Sequence, residues 1–352
     1  MVPRLTPSAP RLRTRPMSAG LHSPTFADLV SAQENLRGHA VVTPLLENAE
    51  LSAMVGGRLL FKCESLQRTG SYKFRGAYNR LSRLSDDERR RGIVAFSTGN
   101  FGQAVACAAK LLGISATIII PRDAPAVKID NCRSYGAEVL HYDRANTTQR
   151  AEMARELSAQ RGLTVVPPGD DALVIAGYGT SGMELLDQFA NSGLPHEDGG
   201  APRIDALLCP CGGGGLAAGI AVVFAERQPH TQLYTVEPAG FDDTARSLEK
   251  GERVGIEPGH TSICDAIQTP IPAELPFRTL RERITAGLVV EDEHTRHAMV
   301  LAFRHLKLVL EPAGAIALAA AISGKFDCRG KTVAVICSGA SVDPALYADV
   351  LR

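Results

Sequence analysis

The sequence lacks a surplus of charge of either sign: lysine plus arginine total 38 and aspartate plus glutamate total 38 over 352 residues. Nucleic acid and anionic membrane surfaces select a basic excess, so neither is an expected partner. Long apolar runs are missing too. The richest stretch, residues 316–322, falls far short of the roughly 18 apolar residues a membrane helix needs, and a soluble protein is expected. Eight cysteines at 63, 107, 132, 209, 211, 264, 328 and 337 form no CxxC pair, which argues against a zinc framework or a disulfide scaffold and points to a reducing, cytoplasmic compartment. Sequence repeats and low-complexity tracts are also absent.

A hydrophobic content of 45% is enough to build a sizeable core, in one large domain or two modest ones, and the expected partner is a small molecule. The amino terminus has a different character: arginines at 4, 11, 13 and 15, prolines at 3, 7, 10 and 16, and no acid before Asp28. Transit peptides share the arginines but act as amphipathic helices, which these prolines prevent, so residues 1–24 are expected to be a disordered tail. Met17 offers an alternative, later start.

Thr25, three residues before Asp28, and Gly38 bracket an amphipathic helix over 25–37. Short apolar runs at 93–97, 116–120, 138–141 and 163–166 then alternate with helical stretches, the βαβ repetition of a parallel sheet. A second series follows: a helix from about Thr180, strands over 206–209, 233–236 and 332–337, and helices near 215–226, 293–306 and 313–323. The acidic, glycine-rich segment 191–202 reads as a surface loop. The expected fold is α/β with two lobes: a small one over 92–168, a large one from 25–91 and 169–352, and the active site between them.

The sharpest motif is Pro210-Cys211-Gly212-Gly213-Gly214-Gly215-Leu216, set between an apolar strand and an alanine-rich helix. Four residues without Cβ let backbone N–H groups converge, and the following helix adds its positive end, which together make a phosphate cradle. A flexible loop is the plain alternative. The spacing Gly213-x-Gly215-x-x-Ala218 also satisfies a loose dinucleotide fingerprint, leaving a nicotinamide-dependent dehydrogenase open, although the motif lies behind several earlier βα units. A kinase-type P-loop is excluded because no Lys-Ser or Lys-Thr follows the glycines.

In Thr69-Gly70-Ser71-Tyr72-Lys73-Phe74-Arg75-Gly76 a lysine sits between two aromatics. An ammonium stripped of water there titrates low and becomes a nucleophilic, Schiff-base-forming amine; the alternative is a lysine that snorkels to solvent. Ser97-Thr98-Gly99-Asn100-Phe101-Gly102-Gln103 again runs from a strand into a helix, where hydroxyls and amides can hold a substrate carboxylate or simply cap the helix. Ser338, in Cys337-Ser338-Gly339-Ala340-Ser341 at the end of the last strand, is placed to touch a ligand.

In this order these segments, with Glu311-Pro312-Ala313-Gly314, resemble the fold type II pyridoxal-phosphate enzymes, which share the tryptophan synthase beta architecture and include threonine/serine dehydratase, serine racemase and 3-hydroxyaspartate dehydratase. The resemblance runs from about Phe26 to the carboxyl terminus. It implies that Lys73 holds pyridoxal 5'-phosphate as a Schiff base and, once freed, takes the substrate Cα proton. It places Gly212, Gly213, Gly214 and Gly215 on the phosphate, Asn100 on the ring's phenolic oxygen, Tyr72 against the ring and Ser338 at the pyridine nitrogen. A hydroxyl at that nitrogen does not enforce a full positive charge, which favours β-elimination over transamination.

The resemblance further implies that Ser97, Thr98, Asn100 and Phe101 hold the substrate carboxylate, with Thr98 at the position where racemases carry a reprotonating serine. Phe101 stands where many relatives have histidine, and Ser341 where asparagine is common. Arg150 matches a position that reaches a second carboxylate in dicarboxylate-binding members; its plain alternative is a surface arginine. Glu237, the Phe241 carbonyl and Asp243 fall on a divalent-cation site suited to Mg²⁺ or Ca²⁺, or else form a solvated acidic loop.

The expected activity is a PLP-dependent ammonia-lyase acting on L-threonine or L-serine, with a 3-hydroxyaspartate dehydratase, a serine racemase and a non-catalytic binding protein as alternatives. A homodimer is expected from family habit. No effector domain is expected after Arg352, which suits a catabolic role.

Overall fold

The computed structural model describes residues 22–97, 99–143, 149–192 and 203–352; the tail up to residue 21, Thr98 and most of the segment 191–202 lie outside the described residues. The strands are β1 (Leu45–Glu47), β2 (Arg58–Lys62), β3 (Ile93–Phe96), β4 (Ala116–Pro121), β5 (Glu138–Tyr142), β6 (Thr164–Val166), β7 (Ala206–Pro210), β8 (Gln232–Pro238), β9 (Ala286–Val290) and β10 (Thr332–Ile336). They form a six-stranded sheet in the order β1-β2-β10-β7-β8-β9 and a four-stranded sheet in the order β5-β4-β3-β6. Every pairing is parallel except β1 with β2. Parallel strands need helices on both faces, so the central β7 and β10 are almost continuously apolar and buried. The α/β, parallel-sheet architecture read from the sequence is the one observed.

Strands β1, β2 and β9 are additional to the sequence reading. β2 runs Arg58-Leu-Leu-Phe-Lys62, and the charges at its ends disguise a strand whose Lys62 is nevertheless fully buried. Lys62 Nζ donates to Glu184 Oε2 and Gln188 Oε1, both at 2.9 Å, and to Thr43 O at 2.8 Å.

The amino-terminal helix, Phe26–Leu36, carries the expected capping box between Thr25 and Asp28. The helix expected from about Thr180 instead begins at Ala172, where the Asp171 carboxylate accepts from the N–H groups of Leu173 and Val174. Gly177 and Gly179 interrupt the helical pattern there because backbones meet at these points. A Cβ on Gly177 would lie 2.6 Å from Arg75 O, and one on Gly219 would lie 2.5 Å from Ile175 O. Helix Ala172–Ala190 is therefore wedged directly between helices Lys73–Leu81 and Gly215–Arg227. The helix expected over 293–306 is α only across Asp292–Leu301 and finishes in a π turn, Ala302–Leu306, ended by left-handed Lys307.

All eight cysteines are buried and free. Burial pushes the Cys63 and Cys132 thiols up to about 12, so these are inert packing groups. Among the described residues no helix is long and apolar enough to cross a membrane.

Candidate active site

The segments that follow β3, β6 and β7 line one cavity of about 280 Å³ together with Tyr72 and Lys73. Ligands of parallel sheets collect outside these carboxyl ends. Lys73 is the first residue of helix Lys73–Leu81 and follows a left-handed turn at Thr69 (φ 62°) and Gly70 (φ 72°). That turn is tied to the residues after β10: Tyr72 N–H donates to Ser338 O at 3.2 Å and Ala340 N–H donates to Gly70 O at 2.8 Å. Two residues on, the Arg75 guanidinium is fully buried and forks onto Glu64 at 2.7 and 2.8 Å, with two further bonds to Glu184, both at 2.7 Å. The helix start that presents Lys73 is thereby held from both sides.

Lys73 Nζ lies 4.7 Å from the Tyr72 ring centroid and 5.0 Å from that of Tyr178. Burial pulls the amine down to about 8, with Glu311 and Cys211 pulling partly the other way. An amine in this range is available as a nucleophile and base near neutral pH.

Across the cavity, Gly212, Gly213, Gly214 and Gly215 form its wall. Gly214 is the N-cap of helix Gly215–Arg227 at φ 87°, a conformation that favours glycine, so the loop turns into the helix with its amides forward.

Ser97, Asn100 and Arg150 line the same cavity. Helix Asn100–Leu112 is capped by Gly99 without a side-chain bond, so the ordinary polar cap considered from the sequence is not what is observed. The Ser97 hydroxyl instead accepts from Gly99 N–H at 2.9 Å. Gly99 has φ 149°, and a Cβ there would lie 2.2 Å from Lys128 Cδ. Asn100 Nδ2 donates to Glu311 Oε1. Phe101 buries its ring in the core, leaving only its backbone for polar contact. The Ser338 hydroxyl donates to Ala313 O at 3.3 Å, and Ser338 is not among the residues lining the cavity. Thr98 lies outside the described residues.

Arg150 is the second residue of helix Gln149–Arg161, with its guanidinium carbon 5.9 Å from the Phe96 ring centroid. It lines both this cavity and an adjoining one of about 1140 Å³, as do Gln268 and Pro270. No motif marks Arg253, which also lines the first cavity and donates from Nε to Pro272 O at 2.8 Å.

A family described as pyridoxal-phosphate dependent enzyme matches residues 36–339. The chain belongs to that family. Among pyridoxal-phosphate dependent enzymes it is similar to the L-threo-3-hydroxyaspartate ammonia-lyase of a Pseudomonas species, at 40% identity over 93% of this chain and 98% of the relative. It is also similar to the serine racemase of Schizosaccharomyces pombe, at 37% identity over 95% and 99% of the two chains. Its fold matches maize serine racemase with a TM-score of 0.85 and 32% identity over 93% and 97%. It is a fold type II pyridoxal-phosphate enzyme. The residues present fit that cofactor: a lysine of lowered pKa stands on one wall of the cavity and a glycine loop heading a helix on the other.

Glu237 and Asp243 are both fully buried. The Glu237 carboxylate accepts from Thr244 N–H at 2.9 Å and Ala245 N–H at 2.7 Å, while Thr269 Oγ1 donates weakly to Asp243. Burial and the charge of Asp243 push Glu237 well above the usual carboxylate range, and burial pushes Asp243 up to about 7. Phe241 N–H donates to Pro238 O at 3.0 Å in the turn between them. Among the described residues no group of three or more His, Cys, Asp or Glu is placed to hold a metal. Two poorly neutralised buried carboxylates still fit a hard divalent ion completed by carbonyl and water oxygens.

Proposed function

We propose that the protein is an ammonia-lyase that eliminates the β-hydroxyl of a hydroxy-amino acid, with 3-hydroxyaspartate preferred over threonine and serine. The observation that carries this reading is that Lys73, the glycine loop 212–215 and Arg150 share one cavity. When bound, pyridoxal phosphate supplies an electron sink for the pair released as the Cα–H bond breaks. Lys73 would hold the cofactor through its aldehyde, and its Nζ, when free, is the base that would take the Cα proton. Loop 212–215 and the start of helix Gly215–Arg227 hold the phosphate. Asn100, fixed by Glu311, holds the ring oxygen. Ser97 and the amides opening helix Asn100–Leu112 receive the α-carboxylate. The β-hydroxyl would leave as water with the proton that Lys73 took from Cα, and the released enamine takes up water to give a 2-oxo acid and ammonia.

Threonine and serine carry no second carboxylate. An arginine at the cavity wall is worth most to a substrate that does, which is why the dicarboxylate is placed first. The ammonia-lyase named for 3-hydroxyaspartate among the relatives supports the same order. Glu237, the Phe241 carbonyl and Asp243 are proposed to hold a divalent cation.

The test is an absorbance spectrum of the purified protein, followed by oxo-acid assay with serine, threonine and both 3-hydroxyaspartate diastereomers. The reading requires cofactor absorbance and fastest turnover of one hydroxyaspartate. Recovered substrate carrying solvent deuterium without oxo acid would make the protein a racemase instead.

A further inference from the structure

Tyr178 is singled out by no sequence motif. It lies on helix Ala172–Ala190, is fully buried, and donates from its hydroxyl to Pro168 O at 3.0 Å. One edge of its ring faces the lysine helix, where a Cβ on Gly76 would lie 2.3 Å from Tyr178 Cε1. The opposite edge faces the glycine loop, where a Cβ on Gly215 would lie 3.3 Å from Cε2. The ring thus fills the gap between the helix that begins at Lys73 and the helix that begins at Gly215. Tyr72 meets it edge-on, with centroids 4.9 Å apart at 74°.

We propose that Tyr178 is a positioning residue, a rigid aromatic spacer that sets the separation between the Lys73 amine and the phosphate-binding loop 212–215. This rests on the reading of those two features as the anchors of one cofactor. The aldehyde and the phosphate arm sit on adjacent atoms of one rigid ring, so the cofactor presents its two attachment points within a narrow range of separations, which the protein must match. A flat ring has few rotamers and little compressibility. Because the residues at both edges are glycines, no side chain cushions these contacts, and a change in ring width passes straight to the two backbones. The ring face near Nζ also attracts the ammonium form, keeping the amine close when it is unattached.

The experiment compares cofactor-stripped full-length protein with its Tyr178→Phe and Tyr178→Met variants, titrated with pyridoxal phosphate and with pyridoxal, which keeps the aldehyde and lacks the phosphate. Dissociation constants are read from the absorbance of the bound aldehyde, and folding from the melt of each stripped protein. Tyr178→Phe keeps the ring, and its preference for the phosphorylated form stays within about twofold of wild type. Tyr178→Met refills the volume with a flexible chain, and that preference falls about tenfold or more while pyridoxal binding changes little. Should the methionine variant lose its cooperative melt, Tyr178→His, with a smaller ring, is read the same way.

An unchanged preference in the ringless variant overturns the proposal, as does an equal loss for both aldehydes, which would mark a merely structural residue. A loss in Tyr178→Phe would assign the effect to the Pro168 bond and overturn it as well. Borohydride reduction and peptide mapping of the wild type keep the two readings apart. An unlabelled Lys73 removes the cofactor assignment itself, whereas a labelled Lys73 with an unaltered preference removes only the spacer.

Discussion

Lys128 Nζ lies 2.7 Å from Asp265 Oδ2, joining a helix that follows β4 of the four-stranded sheet to a residue between β8 and β9 of the six-stranded one. The lysine is fully buried and also stands 3.4 Å from Glu311 Oε2, whose other oxygen takes the Asn100 amide. Burial pulls the Lys128 pKa down, but Glu311 and Asp265 outweigh it and hold it above the ordinary lysine range. A raised lysine pKa contributes stability that is complete below about pH 10 and fades only as pH climbs through the folded value, so this latch is closed at neutral pH.

Lys128→Met leaves Glu311 buried without its cation and is expected to destabilise the protein by about 3 kcal/mol in denaturant unfolding. Adding Glu311→Gln should restore part of that loss. Additivity of the two substitutions within about 0.5 kcal/mol would show that they do not interact.

The depressed Lys73 pKa sets a pH signature for cofactor loading. Only the neutral amine attacks an aldehyde, so the rate at which stripped protein takes up pyridoxal phosphate should rise with pH and level off above about 8. A lysine at its ordinary 10.5 would keep accelerating through pH 10. Stopped-flow absorbance across pH 6–10 distinguishes the two. The sign for stability follows: between about 8 and 10.5 the unfolded chain binds more protons at this residue, so stripped protein gains stability from it as pH rises through that window.

How much of this was legible in the sequence depends on the range over which each feature is encoded. Strands β3 to β8 and β10 announce themselves through local apolar runs, and the loop 212–215 and Lys73 sit inside short motifs. Helix Ala172–Ala190 was only half visible because its glycines serve distant backbones, a tertiary demand that overrides local propensity. Lys128, Asp265 and Glu311 are ordinary charged residues until the fold brings them together, and nothing near Tyr178 or Arg253 in the chain marks either as a neighbour of the cavity. Ser338 was legible as a strand-end hydroxyl, but its bond to Ala313 O was not.

Arg150→Ala tests substrate preference. It should lower kcat/KM for 3-hydroxyaspartate by about 10- to 100-fold, the worth of a charge-assisted contact, and change the values for serine and threonine by no more than about threefold. Equal losses on all three substrates would return Arg150 to a structural role.

Chelation addresses the Glu237–Asp243 pair. At a hundredfold excess over its dissociation constant a divalent ion adds about 2.7 kcal/mol, enough to raise the melting temperature on the order of 5 °C. Removal of divalent ions should reverse that shift, re-addition of Mg²⁺ or Ca²⁺ should restore it, and Glu237→Gln should abolish the response. A melt indifferent to chelator in the wild type would count against the site.

The glycine contacts at Gly177 and Gly219 also bear on engineering. Replacing a helical glycine with alanine is a standard route to thermostability, gaining about 0.4–1 kcal/mol by restricting the denatured chain. Here an added methyl at either position would strike a carbonyl oxygen at about 2.5 Å, so consensus-style hardening of these helices should instead force them apart and disturb the Lys73 helix on one side and the 212–215 loop on the other. Efforts to harden the enzyme should be directed to its solvent-facing residues.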